Sequence, residues 1–361
     1  MQINLIKITQ NKYHYQFLGL IASLLILVLV GCDYSPPEYS YSPPVELEEG
    51  LSVGTIDEVG IAHDPLGRAI DRISDGRYGE VHSILIFKDG LLVVEEYFPG
   101  HDYDWDGPNF QGDWVDWDET RRHNIHSAGK GITSACVGIA VEHGFIHSVE
   151  DSIFDYLQNY QYLNIDGKGD ITIEHLLTMT SGLDWDEWGT SYASGENDVI
   201  RLWLDCQDPI TCILEKPLVY EPGSTFNYSG GDMILLGEII KNASGMDIEA
   251  FSWNYLFKSL GVDNPPWSWI NDEVIYAGGD QLLTPREMLK FGILYLNDGV
   301  WKGQQVISDA WVERSSAPFN NNTGIKIPGV DGGPKGYGYT WWTDEVKVDG
   351  RKLPIFYALG F

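Results

Sequence analysis

Two β-rich runs, Ile84–Phe87 and Leu91–Val94, flank Lys88-Asp89-Gly90, and no comparable β pattern returns until Tyr337. Asp-Gly between alternating apolar runs is a strong hairpin signal. Between the hairpin and the late strands, expected around Tyr337–Trp342 and Ile355–Leu359, the apolar spacing is helical. It is read at Ala128–His143, Ser152–Tyr162, Ile173–Met179, Asp232–Ser244, Ile248–Leu260, Pro285–Asn297 and Ser308–Ser315. Gly144 stands where a left-handed helix cap belongs. A hairpin first, helices through the middle and strands last predict an α+β fold. Its antiparallel sheet is expected to draw on halves far apart in the chain, flanked by helices and interrupted by a mostly helical subdomain at about 145–280. No internal repeat is evident.

Composition narrows the function. The 361 residues carry 53 acidic against 23 basic side chains, a formal charge of −30. Phosphate backbones are held by clustered Lys and Arg, so no nucleic acid is expected as a partner. With 43% hydrophobic residues, 13 Trp, 20 Tyr and 13 Phe, the chain is too apolar and aromatic to be an acidic disordered polymer.

The N-terminal region reads as an address. Lys7 and Lys12 precede an apolar run from Phe17 to Val30, shorter than the roughly 20 residues that span a bilayer and fitting the core of a secretory signal. Leu29-Val30-Gly31-Cys32 resembles the lipobox of bacterial lipoproteins. That resemblance implies a signal peptide over 1–31, lipidation of Cys32, and an extracytoplasmic protein held to a membrane by several acyl chains. Cleavage near Gly31 with an unmodified Cys32 is the alternative. The Pro-rich segment 32–54, with its two Tyr-Ser-Pro-Pro steps, is expected to be an extended stalk leading to a folded domain over 55–361. Of the remaining cysteines, Cys206 and Cys212 could close a small loop in an oxidising compartment, though sequence alone does not fix the pairing. Cys136 falls in a helical core pattern. No zinc-type spacing occurs, and neither metal nor cofactor is expected.

Lys130 is the one lysine with a serine three residues upstream, Ser127. The pair opens a helix, so both side chains share a face, and Ala128, Gly129 and Gly131 leave room above that turn. A serine hydroxyl needs a base before it attacks a carbonyl. Burial can bring a lysine towards neutrality, and an uncharged Lys130 would take the Ser127 proton. The helix start adds amide N–H groups that stabilise developing negative charge. A bare Ser-x-x-Lys match is weak, because an N-cap serine followed by a solvated lysine has the same spelling.

Its surroundings are more specific. The segments Ile171–Leu183, Glu221–Asp232, Ala277-Gly278-Gly279 and Phe291–Gly299, in this order after Ser127-Ala128-Gly129-Lys130, closely resemble the serine β-lactamase-related family. That family includes class C β-lactamases, D-alanyl-D-alanine peptidases, serine esterases and 6-aminohexanoate-dimer hydrolases. The resemblance implies a β-lactamase/transpeptidase-like fold with Ser127 as nucleophile and Lys130 as its base. It also matches Tyr228 to the residue that relays the proton to the leaving group. Gly230 stands where the family usually has asparagine, as in the esterase-like and 6-aminohexanoate-dimer-hydrolase-like branches. The third motif falls on Ala358-Leu359-Gly360, where Ala358 supplies no cation for a substrate carboxylate. The backbone N–H groups of Ser127 and Phe361 would form the oxyanion hole. Family members continue past this corner into further strands and a C-terminal helix, so a truncated sequence is expected.

The function expected is a membrane-tethered serine hydrolase that cleaves a small ester or amide through an acyl-enzyme on Ser127. The alternatives are a β-lactamase or D-alanyl-D-alanine carboxypeptidase acting on β-lactams or peptidoglycan peptides, and a non-catalytic binding lipoprotein. Trp185 and Trp188 are candidates for the acyl pocket wall. Gly50-Leu51-Ser52-Val53-Gly54 spells a nucleophile elbow without the strand and helix that motif needs. Asp102, Asp104 and Asp106 echo a calcium loop but lack its closing glutamate and flanking helices. His126 and His175 read as structural.

Overall fold

The computed structural model describes residues 37–47, 49–319, 322–330 and 333–360. The expected signal, Cys32 and Phe361 lie outside the described residues. The early hairpin pairs Ser83–Lys88 with Leu91–Tyr97. Asp89 and Gly90 take φ of 51° and 87°, the mirror-image turn whose twist suits a two-residue hairpin loop. A register shift between Ile86 and Phe87 marks a bulge.

The expected single sheet is not formed among the described residues. The late strands Trp342–Val348 and Arg351–Tyr357 make their own antiparallel sheet with Gly336–Tyr337. The first strand of the early hairpin lies against the helix Pro285–Leu296, and the edge of its second strand is taken at Leu92 by the extended chain at Val53. Three shorter two-stranded sheets complete an α+β fold. One of them pairs Gly100–Tyr103 with Gln111–Val115, on either side of Asp104 and Asp106.

Helices follow the apolar spacing where it is sustained. Lys130–Glu142 and Gly230–Ser244 lie at the centre of the larger core, buried nearly all round, as expected of helices without a polar face. Pro285–Leu296 starts with proline at its first turn and a reciprocal cap between Thr284 and Glu287. The stretch expected as a helix over Ser152–Tyr162 instead breaks into two 3₁₀ segments, Ile153–Asp155 and Gln158–Leu163. Its amides bond locally, with Tyr156 donating to Ile153 and Tyr160 to Leu157. The helix His63–Ser74, absent from the sequence reading, closes a smaller core of Ile56, Val59, Leu66, Ile70, Val93 and Val94 against the hairpin.

The Pro-rich segment is extended, as polyproline chemistry requires, yet it lies along the domain instead of standing away from it. The Tyr41 hydroxyl donates to the Val93 carbonyl at 2.8 Å and accepts from the Ile56 amide at 3.2 Å. The Tyr39 hydroxyl donates to Glu96, and the amides of Glu38 and Tyr39 are held by Asp71 at 3.0 and 2.9 Å. Tyrosines between the prolines supply contacts that prolines cannot. Further on, the Arg286 guanidinium reaches the Val45 carbonyl at 2.8 Å, Glu49 at 2.5 Å and both oxygens of Glu95.

Arg286 and Glu95 are both almost fully buried, so removing Arg286 leaves the Glu95 carboxylate without water or a counter-ion. Arg286→Met is expected to lower unfolding free energy by about 3–5 kcal/mol in a denaturant titration. The double variant Arg286→Met/Glu95→Leu should recover most of that loss. Additive losses would show that the pair is not coupled.

Candidate active site

The helix containing Lys130 is entered through a 3₁₀ turn, His126–Gly129. His126 has φ of 46°, a left-handed kink that turns the chain so that Ser127 faces out of the core. Lys130 points inward and is 1% exposed. Its Nζ donates to Ser127 Oγ at 3.0 Å and to the Gly278 carbonyl at 2.7 Å, and lies 4.8 Å from the centre of the Tyr228 ring. The amine one turn after the serine is therefore not a solvated surface group. Tyr228 is buried in an aromatic cluster, with ring centres 4.7 Å from Trp188 and 6.3 Å from Trp342. Three residues separated by a hundred positions meet at one point.

Glycines make that meeting possible. A Cβ at Gly279, whose φ is 145°, would stand 2.2 Å from the His126 carbonyl oxygen, so only glycine lets Ala277-Gly278-Gly279 run against the nucleophile turn. Thr133 fixes the same segment by donating to the Ala277 carbonyl at 2.7 Å. On the opposite side a Cβ at Gly360 would stand 2.4 Å from the Ile125 carbonyl oxygen. The glycine corner thus abuts the nucleophile turn, although Phe361 beyond it is outside the described residues.

Gly230 also has a steric reason. A Cβ there would meet Glu187 Oε2 and Val199 Cγ2 at 3.0 Å and the Tyr276 hydroxyl at 3.3 Å. The space an asparagine would need is occupied by Glu187, which accepts from the Gly230 amide at 2.5 Å, Trp185 Nε1 at 2.8 Å and the Tyr192 hydroxyl at 2.9 Å. Glu187 was not foreseen. It lies in an ordinary acidic stretch, and only the fold buries it and gathers donors around it.

Ser127 opens onto two cavities, of about 460 and 400 Å³. Trp188 and Tyr228 line the smaller one. Trp185, expected in the wall with Trp188, lines neither: its ring fills the space beside Gly231 and its N–H is bonded to Glu187. It props the wall from behind. His175 caps its own helix through Thr172, in line with a structural part. His126 differs, since it lines the larger cavity while bonding Asp280 at 3.2 Å. Cys206 and Cys212 are joined in a disulfide, and Cys136 is a free core thiol whose pKa burial pushes up. Among the described residues no group of three or more His, Cys, Asp or Glu side chains is arranged to hold a metal.

One turn beyond Tyr228, Asp232 is fully buried, and that burial pushes its carboxyl up to about 8 against a smaller opposing pull from Ser181 and Ser229. An acid with a raised folded pKa takes up a proton on folding. Its effect is to lower stability progressively from the unfolded value near 4 up to about 8, with no further change above. Asp232→Asn should therefore gain on the wild type in melting temperature as pH is raised from about 5 to about 8.5. Parallel curves would show that the carboxyl is not held neutral.

The sequence profile of the Beta-lactamase family matches residues 80–357. A curated relative, Protein flp of Staphylococcus aureus, is 24% identical over 192 residues, covering 53% of this chain and 35% of that protein. This chain thus aligns with about a third of that relative's length. Among solved structures, a Bacillus anthracis protein described as a 6-aminohexanoate-dimer hydrolase superposes with a TM-score of 0.57 at 20% identity, covering 78% of this chain and 71% of that one. D-alanine carboxypeptidase AmpC from Burkholderia cenocepacia gives 0.52 at 18% identity, covering 81% and 76%. These structures share the fold. With a profile match over most of its length and a buried lysine bonded to the serine three residues before it and facing a tyrosine, the chain belongs to the beta-lactamase family of serine hydrolases.

Proposed function

We propose that the protein hydrolyses a small ester or amide through an acyl-enzyme on Ser127. The observation that carries this reading is the hydrogen bond between Lys130 Nζ and Ser127 Oγ at 3.0 Å, made by an amine shut off from water. Ser127 Oγ attacks the substrate carbonyl carbon as its proton passes to Lys130. The resulting oxyanion faces the Ser127 amide at the helix start. When the bond to the leaving oxygen or nitrogen breaks, Tyr228 delivers its phenolic proton to it and takes over the proton held by Lys130, so that both groups return to their starting state. Water then attacks the acyl-serine, releases the acid and returns the proton to Ser127 Oγ. No group outside the chain and water is needed for this sequence.

A fluorophosphonate probe is expected to label the wild type and not Ser127→Ala, as read by intact mass. Tyr228→Phe should slow hydrolysis of alkyl esters by about 10²-fold while slowing p-nitrophenyl esters far less, because nitrophenolate leaves without a proton. Equal slowing of both would remove Tyr228 from proton delivery and leave it a packing residue.

Export and anchoring belong to the same proposal. They are supported by the apolar run ending at Leu29-Val30-Gly31-Cys32 and by the Cys206–Cys212 disulfide, a bond typical of oxidising compartments. In a bacterial host the wild type should take up labelled fatty acid and sediment with membranes, and Cys32→Ser should do neither. Labelling that survives in Cys32→Ser would place the lipid elsewhere.

A further inference from the structure

The two cavities at Ser127 differ in what they offer a substrate, and the difference assigns a substrate class. Phe110, Ser127 and Tyr192 line both, so the serine stands at the partition between them. The partition is fixed, because the Tyr192 hydroxyl donates to buried Glu187. Tyr228 lines only the smaller cavity, beside Trp188 and Trp342. A group that hands a proton to the leaving atom must stand on the leaving-group side. The smaller cavity therefore takes the alcohol or amine, and the larger one is left for the acyl chain.

The larger cavity is walled by Tyr103, Trp105, Trp203, Leu204, Trp269 and Tyr276. Four of these, Trp105, Trp203, Leu204 and Trp269, remain 36–66% exposed, an apolar cluster of the kind that marks a binding site. Its titratable side chains, Asp280 and His126, are bonded to each other. The smaller cavity contributes Glu187, whose oxygens are already taken by three donors. Among the described residues no Lys or Arg lines either cavity, so a substrate carboxylate would lose water and gain no partner.

We propose, resting on the assignment of Ser127 as nucleophile, that the 460 Å³ cavity is an acyl pocket selecting uncharged aryl-bearing acyl groups and rejecting anionic ones. An aromatic wall favours a flat apolar chain by burial and ring stacking. One added apolar group in such a pocket is worth about tenfold or more in kcat/KM.

The test uses the purified protein with p-nitrophenyl acetate, p-nitrophenyl 3-phenylpropanoate and the mono-p-nitrophenyl ester of succinic acid. Turnover is followed by absorbance and acylation of Ser127 by intact mass, so that slow deacylation does not hide the preference. Phenylpropanoyl transfer is expected to exceed acetyl transfer by about tenfold or more, with succinyl transfer below acetyl. Trp203→Ala and Trp269→Ala should bring the phenylpropanoyl-to-acetyl ratio towards one. Leu204→Lys, which adds a cation at the mouth, should raise the succinyl-to-acetyl ratio, a gain that misfolding cannot imitate. Trp188→Ala should instead change the methyl-to-benzyl ratio for alcohols leaving from one acyl group. A flat acyl profile, succinyl preference in the wild type, or an exchange of the Trp188 and Trp203 effects would overturn the assignment while Ser127 still becomes acylated. Absence of both acylation and fluorophosphonate labelling would instead remove the nucleophile.

Discussion

A lysine amine without water is the constraint around which this fold is arranged. Taking a lysine amine out of solvent is costly unless its donors are met. Here they are met by Ser127 Oγ, three residues before it, and by the Gly278 carbonyl, 148 residues away, with the face of Tyr228 beside them. One short segment, Ala277-Gly278-Gly279, therefore has to lie against the start of the helix Lys130–Glu142. It does so because Gly279 has no Cβ to strike the His126 carbonyl and because Thr133 bonds the carbonyl of Ala277. The same contacts that make the lysine tolerable inside the protein place it on the serine.

A second buried polar centre sets the outline of the site. Glu187 gathers the Trp185 indole, the Tyr192 hydroxyl and the Gly230 amide. Through Tyr192 it holds the wall between the two cavities, and through Gly230 it fixes the start of the helix that follows Tyr228. It also fills the space that an asparagine side chain at 230 would occupy. The departure at Gly230 from the family's usual asparagine thus comes with a different polar arrangement, not with an empty place. Such networks stabilise only when every member is satisfied, and the three donors around Glu187 meet that condition.

Several features were legible in the residues. The Asp89-Gly90 turn, the helices at 130, 230 and 285, and the Ser127–Lys130 pair each depend on spacing within a few positions. The errors fall where tertiary packing overrides local pattern. Apolar residues over Ser152–Tyr162 satisfy a helical spacing, yet their backbone closes 3₁₀ turns instead. The Pro-rich segment has no core pattern of its own, so a free stalk was the natural reading, and only the facing groups of Val93, Glu96 and Asp71 give its tyrosines somewhere to bond. Trp185 and Trp188 are three residues apart and alike in sequence. The fold sends one into the cavity wall and the other behind it.

By itself the sequence determined the chemistry available, because a serine and a lysine one helical turn apart, followed by the Tyr228 segment and the later glycine segments in order, restrict the reacting groups before any fold is known. Tertiary structure alone decided how that chemistry is framed: which carbonyl receives the lysine, that Glu187 and not an asparagine supports Gly230, and that Ser127 stands between two cavities without a cation in either wall among the described residues. The reason is one of range. Turn and helix preferences act over a few residues, whereas burial and cavity shape are sums over side chains brought together from the whole chain.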